Sequence, residues 1–135
     1  FNIRHNNAID FSSDFRELTV RADRRLILQS LTNLVSNAVK YAQPDPRVKV
    51  RIGESEDHLL VSVEDNGIGI PEADRQNLFQ PFFRATNASR IEGNGLGLNI
   101  VRESIRMHGG DVWFESRLNE GTVFFIQLPE SIILK

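Results

Sequence analysis

A polar stripe on an otherwise apolar helical segment is the first part of this sequence that suggests chemistry. Asn33 and Asn37 are four residues apart, so their amides lie on one face of the predicted helix. Ser30 and Lys40 extend that face, and Tyr41 lies one turn beyond Asn37. Because buried amides need hydrogen-bonding partners, the stripe must line a cavity or contact a ligand. The opposite side of the helix is apolar: Leu28, Leu31, Val35 and Val39 in one row, with Ile27, Leu34 and Ala38 beside it.

An amide face suits a magnesium ion that carries phosphate ligands. Mg²⁺ prefers oxygen donors in an octahedron and usually keeps phosphate and water ligands. The neutral carbonyl of Asn37 would add no negative charge, and Lys40 could reach the phosphates themselves. The alternative, that both asparagines bond to neighbouring backbone groups, is left open by this segment alone.

A carboxylate follows a strand-like segment on its apolar face. Alternate apolar residues from Leu59 to Val63 share one face, and by the same alternation Asp65 falls on that face at the end of the strand. A carboxylate there is costly unless another group donates a hydrogen bond to it. Gly67 and Gly69 come directly afterwards and would allow the backbone to approach a ligand closely.

A second glycine-rich segment leads into a later helix. Glycines before a helix N-terminus can form a cradle of backbone N–H groups for phosphate. The segment follows a loop at 85–95 that has no apolar period, and not a strand, so the dinucleotide-binding interpretation fails. We expect that loop to be mobile. The candidate residues of the segment are Gly93, Gly95, Leu96, Gly97 and Leu98.

The elements that must position these residues predict an α+β fold. We expect a two-layer sandwich in which helices cover one face of a mixed, mostly antiparallel sheet. Gly109 is the expected C-cap of the last helix, His108 is given a structural role at its end, and the tail after Pro129 is expected to be loosely held. The predicted order is strands at 8–11 and 18–20, a helix capped by Asp23 and running to about Tyr41, strands at 48–52 and 59–65, a helix after Pro71, the loop, a helix to Met107, and a hairpin of 111–116 and 122–128.

Size and composition restrict the class of protein. A chain of 135 residues fits one domain, and its net charge of −2 gives no basic field that would indicate nucleic-acid binding. It contains no cysteine, which excludes disulfides and thiolate metal sites and fits a reducing compartment. No apolar run approaches the ~20 residues of a membrane span, and no signal peptide is visible. The chain begins at Phe1 without a methionine, and we expect it to be a piece of a longer protein.

Taken in order, these motifs resemble the ATP-binding catalytic domain of sensor histidine kinases. That domain belongs to a superfamily with DNA gyrase, Hsp90 and MutL and has the Bergerat-type ATP-binding fold. The helix with Asn33 and Asn37 resembles the N box of the family, 65–69 its G1 box, 78–84 its F box and 93–97 its G2 box. Each box is weak alone, whereas four in the right order over nearly all of 1–135 are specific.

The resemblance implies a phosphate end of the site. Asn37 would bind Mg²⁺, and Asn33 would assist on the phosphate side. Lys40 would contact phosphate, and Arg84 stands where family members can have an arginine near the γ-phosphate of ATP. Asn37, Lys40 and Arg84 are therefore the implied catalytic residues. The glycine-rich segment, Gly93, Gly95, Leu96, Gly97 and Leu98, would hold the phosphates, with the loop at 85–95 as the ATP lid.

The resemblance also implies a base end. Asp65 would accept a hydrogen bond from the amino group of adenine, which would explain a carboxylate on an apolar face. Gly67 and Gly69 would let the backbone approach the base. Tyr41 would border the nucleotide, and Thr122 would also contribute to the ATP site.

The phosphate acceptor of such kinases is a histidine on a separate helical dimerisation domain. The histidines here are His5, His58 and His108, and none lies in a long amphipathic helix. We therefore expect the acceptor domain to lie elsewhere in a homodimeric parent protein, with this domain alone monomeric. A downstream response regulator is the implied second partner. The implied location is the cytoplasm, with the parent either soluble or anchored in a membrane.

Two other interpretations stay open. One is another enzyme of the superfamily, such as a serine kinase of the anti-sigma type or an ATPase, although the F box and the last helix favour the histidine kinase. The other is a non-catalytic module that senses ATP.

Phe82 and Phe83 are candidates for docking the acceptor helices, with burial of one or both rings as the alternative.

Overall fold

Six strands and two α-helices make up the regular structure of the described residues. The computed structural model describes residues 2–5, 8–88 and 97–134. The strands are β1 Asn2–His5, β2 Ile9–Ser13, β3 Val48–Ser55, β4 His58–Asp65, β5 Asp111–Arg117 and β6 Gly121–Pro129. The helices are α1 Arg24–Lys40 and α2 Gly97–Met107, with short 3₁₀ helices at Glu72–Asn77, Thr86–Ala88 and Glu130–Ile132.

The described strands form one mixed sheet in the order β1-β2-β3-β4-β6-β5. Only the β2–β3 pair is parallel, and α1 connects these two strands, as a parallel pair requires a long crossover. The other pairs are antiparallel. Leu59, Val61 and Val63 of β4 are buried under the helices, and Asp65 continues their row at the strand end. The predicted α+β class and the alternation of β4 are confirmed.

Helix α1 begins and ends where its capping residues predict. The Oδ1 of Asp23 accepts a hydrogen bond from the Leu26 N–H at 3.1 Å. At the other end, the Tyr41 N–H donates to the carbonyl of Asn37 at 2.9 Å. These two caps confirm the predicted span of the helix.

The rotation of α1 differs from the prediction by part of a turn. Ser30, expected on the polar face, is fully buried and donates its hydroxyl to the Leu26 carbonyl at 2.8 Å. Leu28, expected on the apolar side, is 57% exposed. Leu34 and Ala38 form the buried face, because they are the residues that meet the sheet. A buried serine is tolerated here since its hydroxyl is satisfied within its own helix.

Three predicted elements differ from the structure. The segment 18–20 is not a strand; it forms an isolated bridge between Val20 and Ile133. The same bridge corrects the prediction of a loosely held tail, because Leu134 also donates its N–H to the Thr19 carbonyl at 2.8 Å. The helix after Pro71 is a 3₁₀ helix, Glu72–Asn77, and not an α-helix. Its six residues are too few for a stable α-helix without tertiary support.

The two α-helices run antiparallel and are joined at one end by His108. The Nδ1 of His108 lies 2.6 Å from the Ser104 carbonyl, so it carries the proton and donates. The Nε2 is then an acceptor and receives the Asp23 N–H at 2.9 Å. Gly109 follows with a φ of +81° and closes α2. The predicted structural role of His108 fits these bonds.

None of the helices within residues 8–88 and 97–134 is long and apolar enough to cross a membrane.

Candidate functional site

A cavity of about 400 Å³ lies between α1, the segment after β4 and the first turn of α2. This volume is within the range of pockets for small ligands. Of the predicted site residues that the structure describes, all except Gly67 line it: Asn33, Asn37, Lys40, Tyr41, Asp65, Gly69, Arg84, Gly97, Leu98 and Thr122. Gly93, Gly95 and Leu96 lie outside the described residues.

One end of the cavity brings the amide stripe of α1 against the N-terminus of α2. A Cβ built on Gly97 would lie 3.7 Å from Asn37 Nδ2 and 3.8 Å from Asn33 Cγ. The first N–H groups of a helix have no partner within the helix, and the helix dipole favours negative charge there. Asn33, Asn37 and Gly97 therefore form an end suited to an anionic group.

Two cationic side chains line the same cavity. Lys40 has its Nζ 5.8 Å from the centroid of the Tyr41 ring, within cation–π distance. Arg84 is half-buried in the wall. Two positive charges in the same cavity as a helix N-terminus fit a ligand with several negative charges, such as a polyphosphate.

The other end contains a half-buried carboxylate. The Oδ1 of Asp65 accepts two backbone hydrogen bonds, from the Gly67 N–H at 2.8 Å and from the Thr122 N–H at 3.2 Å. Burial raises the pKa of Asp65 above its ordinary value of 3.8, the two N–H groups lower it in part, and the nearby charge of Glu64 adds to the rise. The Oδ2 has no part in these two bonds, so Asp65 can accept a hydrogen bond from a ligand.

The two glycines after Asp65 are required by the packing of the protein itself. A Cβ on Gly67 would lie 2.6 Å from the Tyr41 carbonyl oxygen, and one on Gly69 would lie 2.4 Å from the Arg117 carbonyl oxygen. Gly69 also has a φ of +71°, which favours glycine. Gly69 lines the cavity, whereas Gly67 lies behind Asp65 and supports it.

Apolar residues of the wall were missed by sequence reasoning. They come from α1, the segment 68–85, α2 and β6: Ala38, Ile68, Ile70, Leu78, Phe83, Ala85, Ile100 and Phe124. Gln29, Ser36 and Asn87 are polar residues missed in the same way. Their side chains look like ordinary core or surface positions in the sequence, so no local signal separates them from the rest.

The start of the predicted lid is anchored. Asp74 is buried, and its Oδ2 accepts hydrogen bonds from the N–H and the hydroxyl of Thr86 at 2.9 and 3.0 Å. Asn87 donates its side-chain N–H to the Gly69 carbonyl at 3.0 Å. Residues 86–88 thus form a short 3₁₀ helix with contacts to the cavity wall, the mobility of the loop stays a prediction, and 89–95 lie outside the described residues.

The phenylalanines of the 78–84 segment have three different environments. Phe79 packs against Phe114 and Phe124, with ring centroids 6.0 and 6.3 Å apart. Phe83 lines the cavity. Phe82 is 71% exposed and has a φ of +65°, which is unusual for a bulky residue. Of the two rings considered for docking, Phe82 is thus the accessible one.

A mixed sheet, covered on one face by helices that enclose a cavity of amides, cations and a helix N-terminus, is suited to bind a nucleotide. A protein-family model described as histidine kinase-, DNA gyrase B- and HSP90-like ATPase matches residues 22–132. The chain belongs to this family, and the resemblance inferred from the four motifs is confirmed.

Curated relatives are sensor histidine kinases. The circadian input-output histidine kinase CikA of Synechococcus elongatus is 35% identical over 129 residues, which cover 94% of this chain and 17% of CikA. The sensor histidine kinase WalK of Bacillus subtilis is 40% identical over 118 residues, which cover 84% of this chain and 19% of WalK. The chain thus spans less than a fifth of the length of these relatives.

Solved structures agree with this similarity. The nucleotide-free catalytic domain of histidine kinase ThkA matches with a TM-score of 0.76 and 38% identity, covering 89% of this chain and 78% of the ThkA domain. A crystal structure of ThkA in complex with the response regulator TrrA matches with a TM-score of 0.71 and 36% identity. That match covers 90% of this chain and 34% of the matched chain.

Proposed function

We propose that this chain is the catalytic domain of a sensor histidine kinase. It binds Mg·ATP in the cavity and transfers the γ-phosphate to a histidine on a separate dimerisation and acceptor domain. The observation that carries the proposal is the meeting of Asn37, Asp65 and Gly97 in one cavity, although they are far apart in the chain. Membership of the ATPase family and the similarity to histidine kinases support it.

Asp65 recognises the base. Its carboxylate accepts a hydrogen bond from the amino group of adenine, while Ile70, Leu78 and Phe124 supply apolar walls for the ring. Guanine has a carbonyl where adenine has this amino group, and the carboxylate would repel it. The two N–H groups that hold Oδ1 keep the carboxylate oriented before the ligand arrives.

The opposite end binds the phosphates and the metal. The donor set fits Mg²⁺ held mainly by the nucleotide, because the described residues contain no cluster of three or more acidic or histidine side chains that could hold a metal alone. Asn37 supplies a neutral amide oxygen to it, and Asn33 assists. The ion, when bound, neutralises charge on the phosphates. Lys40 and Arg84 stabilise the negative charge of the phosphoryl group as it is transferred.

The acceptor histidine comes from another domain. His58 lies in β4 with its Nδ1 2.8 Å from the Glu56 carbonyl, and His108 joins the two helices. Neither lines the cavity, and His5 lies in β1. Phosphoryl transfer needs the nucleophile in line with the γ-phosphate, which the positions of His58 and His108 outside the cavity do not provide.

Phe82 is the proposed contact for the acceptor helices. An exposed phenylalanine with positive φ costs on the order of 1–3 kcal/mol in backbone strain, and such strain is common at functional sites. Phe82→Ala should therefore reduce transfer to the acceptor domain and leave ATP binding unchanged. An equal loss of phosphoryl transfer and of ATP binding would mean that Phe82 supports the cavity instead.

A solved relative supports the proposal of one further partner. ThkA has been crystallised with a response regulator, and we propose a response regulator as the downstream partner here. We further propose a cytoplasmic location and a homodimeric parent protein, with this domain alone monomeric. The net charge of −2 supports the absence of nucleic acid among the partners.

The test is transfer of labelled γ-phosphate. The chain alone should incorporate no acid-labile label, whereas the chain mixed with the acceptor domain of its parent protein should label that domain. Asp65→Asn serves as the binding-deficient control. Label on the isolated chain would contradict the need for a separate acceptor. ATP binding without transfer would favour a nucleotide-sensing module, and label on serine would favour the serine kinase alternative.

A further inference from the structure

The segment 68–70, shortly after Asp65, lines the cavity but belongs to no helix or strand. Its position is set by hydrogen bonds to other parts of the chain. The Ile68 carbonyl accepts the Asn119 N–H at 2.8 Å, and the Gly69 carbonyl accepts the Asn87 side chain at 3.0 Å. The shape of this part of the wall therefore depends on residues outside the segment.

The last residue of the segment, Ile70, is held through both of its backbone polar groups. Its N–H donates to Ser116 Oγ at 2.9 Å, and its carbonyl accepts the Arg75 Nε–H at 3.3 Å. The Nη2 of Arg75 also donates to the Ser116 carbonyl at 2.7 Å. Ser116 lies in β5, the edge strand of the sheet, so one guanidinium joins the segment 68–70 to that edge.

A guanidinium suits this junction because its N–H groups form a planar fork with fixed directions. Nε and Nη2 of Arg75 donate to two backbone carbonyls at once. The ammonium of a lysine is a compact group at the end of a flexible stem and does not reproduce this fork. Arg75 is half-buried and does not line the cavity, so it can act on a ligand only through the residues that it holds.

We propose that Arg75 is a positioning residue for nucleotide binding, which acts by holding Ile70 and the segment 68–70 where the base binds. This inference rests on the proposed function, in which Ile70 forms part of the apolar wall for adenine. If the segment leaves this place, it must return before the base binds. The Kd for ATP therefore rises by the inverse of the fraction of molecules that keep the segment in place.

The test compares ATP with tripolyphosphate, which has the phosphates but no base, by calorimetry with Mg²⁺ on the wild type and Arg75→Lys. The lysine keeps the positive charge and removes the fork. Arg75→Lys should weaken ATP about three- to tenfold, the effect of losing one hydrogen bond that holds the segment. The affinity for tripolyphosphate should not change, because the proposed phosphate end is formed by α1 and the start of α2.

A matched variant controls for the change from arginine to lysine. Arg51 donates to Asp14 Oδ1 at 2.9 Å, and neither residue lines the cavity, so Arg51→Lys should change neither affinity. If Arg75→Lys does not fold, Arg75→Gln keeps a side-chain N–H donor without the fork and should show the same selective loss of ATP binding. Amide hydrogen exchange of Ile70 should also become faster in either Arg75 variant, because its segment is held less firmly.

Equal losses for ATP and tripolyphosphate would overturn the role of Arg75, because support of the fold affects both ligands alike. Unchanged affinity for ATP would overturn it as well. Failure of the proposed function gives a different result: the wild type would bind ATP no better than tripolyphosphate, which would reject both proposals. Weaker ATP binding by Asp65→Asn together with unchanged binding by Arg75→Lys would reject the role of Arg75 alone.

Discussion

Replacing Asp65 by asparagine tests how the base is recognised. The change keeps the size of the side chain, and its remaining oxygen can still accept the N–H groups of Gly67 and Thr122, which now lie 2.8 and 3.2 Å from Oδ1. The amide nitrogen would then occupy the position of Oδ2 and oppose the amino group of adenine, donor against donor. The fold is retained while one charged hydrogen bond to the ligand is lost.

The size of the effect follows from that single bond. A hydrogen bond to a charged group contributes about 1.5–3 kcal/mol, and about 1.4 kcal/mol corresponds to a tenfold change in Kd. Asp65→Asn should therefore weaken ATP binding about 10- to 150-fold. Calorimetric titrations with ATP and GTP measure both the affinity and the preference for adenine, which should decrease as well.

Stability should change in the opposite direction. Because burial raises the pKa of Asp65 above 3.8, the folded state binds the proton more tightly than the unfolded state. As the pH rises from 3.8 through the higher folded-state pKa, the wild type loses free energy of unfolding relative to Asp65→Asn. Near neutral pH the variant should be at least as stable as the wild type, which urea unfolding at several pH values measures.

Two results would refute this reasoning about Asp65. Unchanged ATP affinity and base preference would mean that the carboxylate does not contact the base. A clear loss of stability at neutral pH would mean that the charge of Asp65 is needed to hold Gly67 and Thr122, and that its weaker binding is an indirect effect.

Three further changes test Asn37 in the site and two hydrogen-bonded residues outside it. Asn37→Ala should weaken ATP on the order of tenfold with Mg²⁺ but little in EDTA, because the proposed role of Asn37 is to bind the metal; calorimetry in both buffers measures this. Asp74→Ala should lower the free energy of unfolding by about 1–3 kcal/mol, since it removes a buried carboxylate that accepts two hydrogen bonds from Thr86; urea unfolding measures it. His108→Ala should cost about 1–2 kcal/mol in the same assay, because the Asp23 N–H loses its acceptor.

Matched variants serve as controls for these changes. Glu72→Ala, in the same 3₁₀ helix as Asp74 but exposed, should leave stability nearly unchanged. Met107→Ala, next to His108 and 75% exposed, should do the same. An equal loss of ATP binding by Asn37→Ala with and without Mg²⁺ would indicate that Asn37 supports the fold and not the ion.

The parts of the fold that were predictable are those with local signals. Helix α1 has a 3.6-residue period and an Asp23 cap, and β4 alternates cleanly up to Asp65, so both follow from neighbouring residues. The rotation of α1 was less certain, because Ser30 and Leu28 lie at the border of two faces. Which of them is buried depends on the position of the sheet, and the helical period does not contain that information.

The site residues that belong to a local sequence motif were predictable. The residues that act through contacts between distant segments were not. Asn66, within the motif after β4, accepts the Arg47 N–H at 2.8 Å and donates to the Asp45 carbonyl at 3.0 Å. Its role is to hold the loop after α1. Asp74 and Ser116 likewise act through partners more than ten residues away. A serine or an aspartate that bonds so distant a partner has no local pattern that predicts the bond.

The hydrogen bond between His108 and the Asp23 N–H holds one end of α2, so a tilt of the helix would displace its other end. It fixes the C-terminal end of α2 to the start of α1, while Gly97 at the other end lies against Asn33 and Asn37. With 11 residues, α2 is about 16 Å long. A tilt of about 4° about the fixed end would move Gly97 by about 1 Å, enough to alter the contacts of the proposed phosphate site. The mechanical stiffness of a junction remote from the cavity thus sets how accurately the helix end meets its ligand.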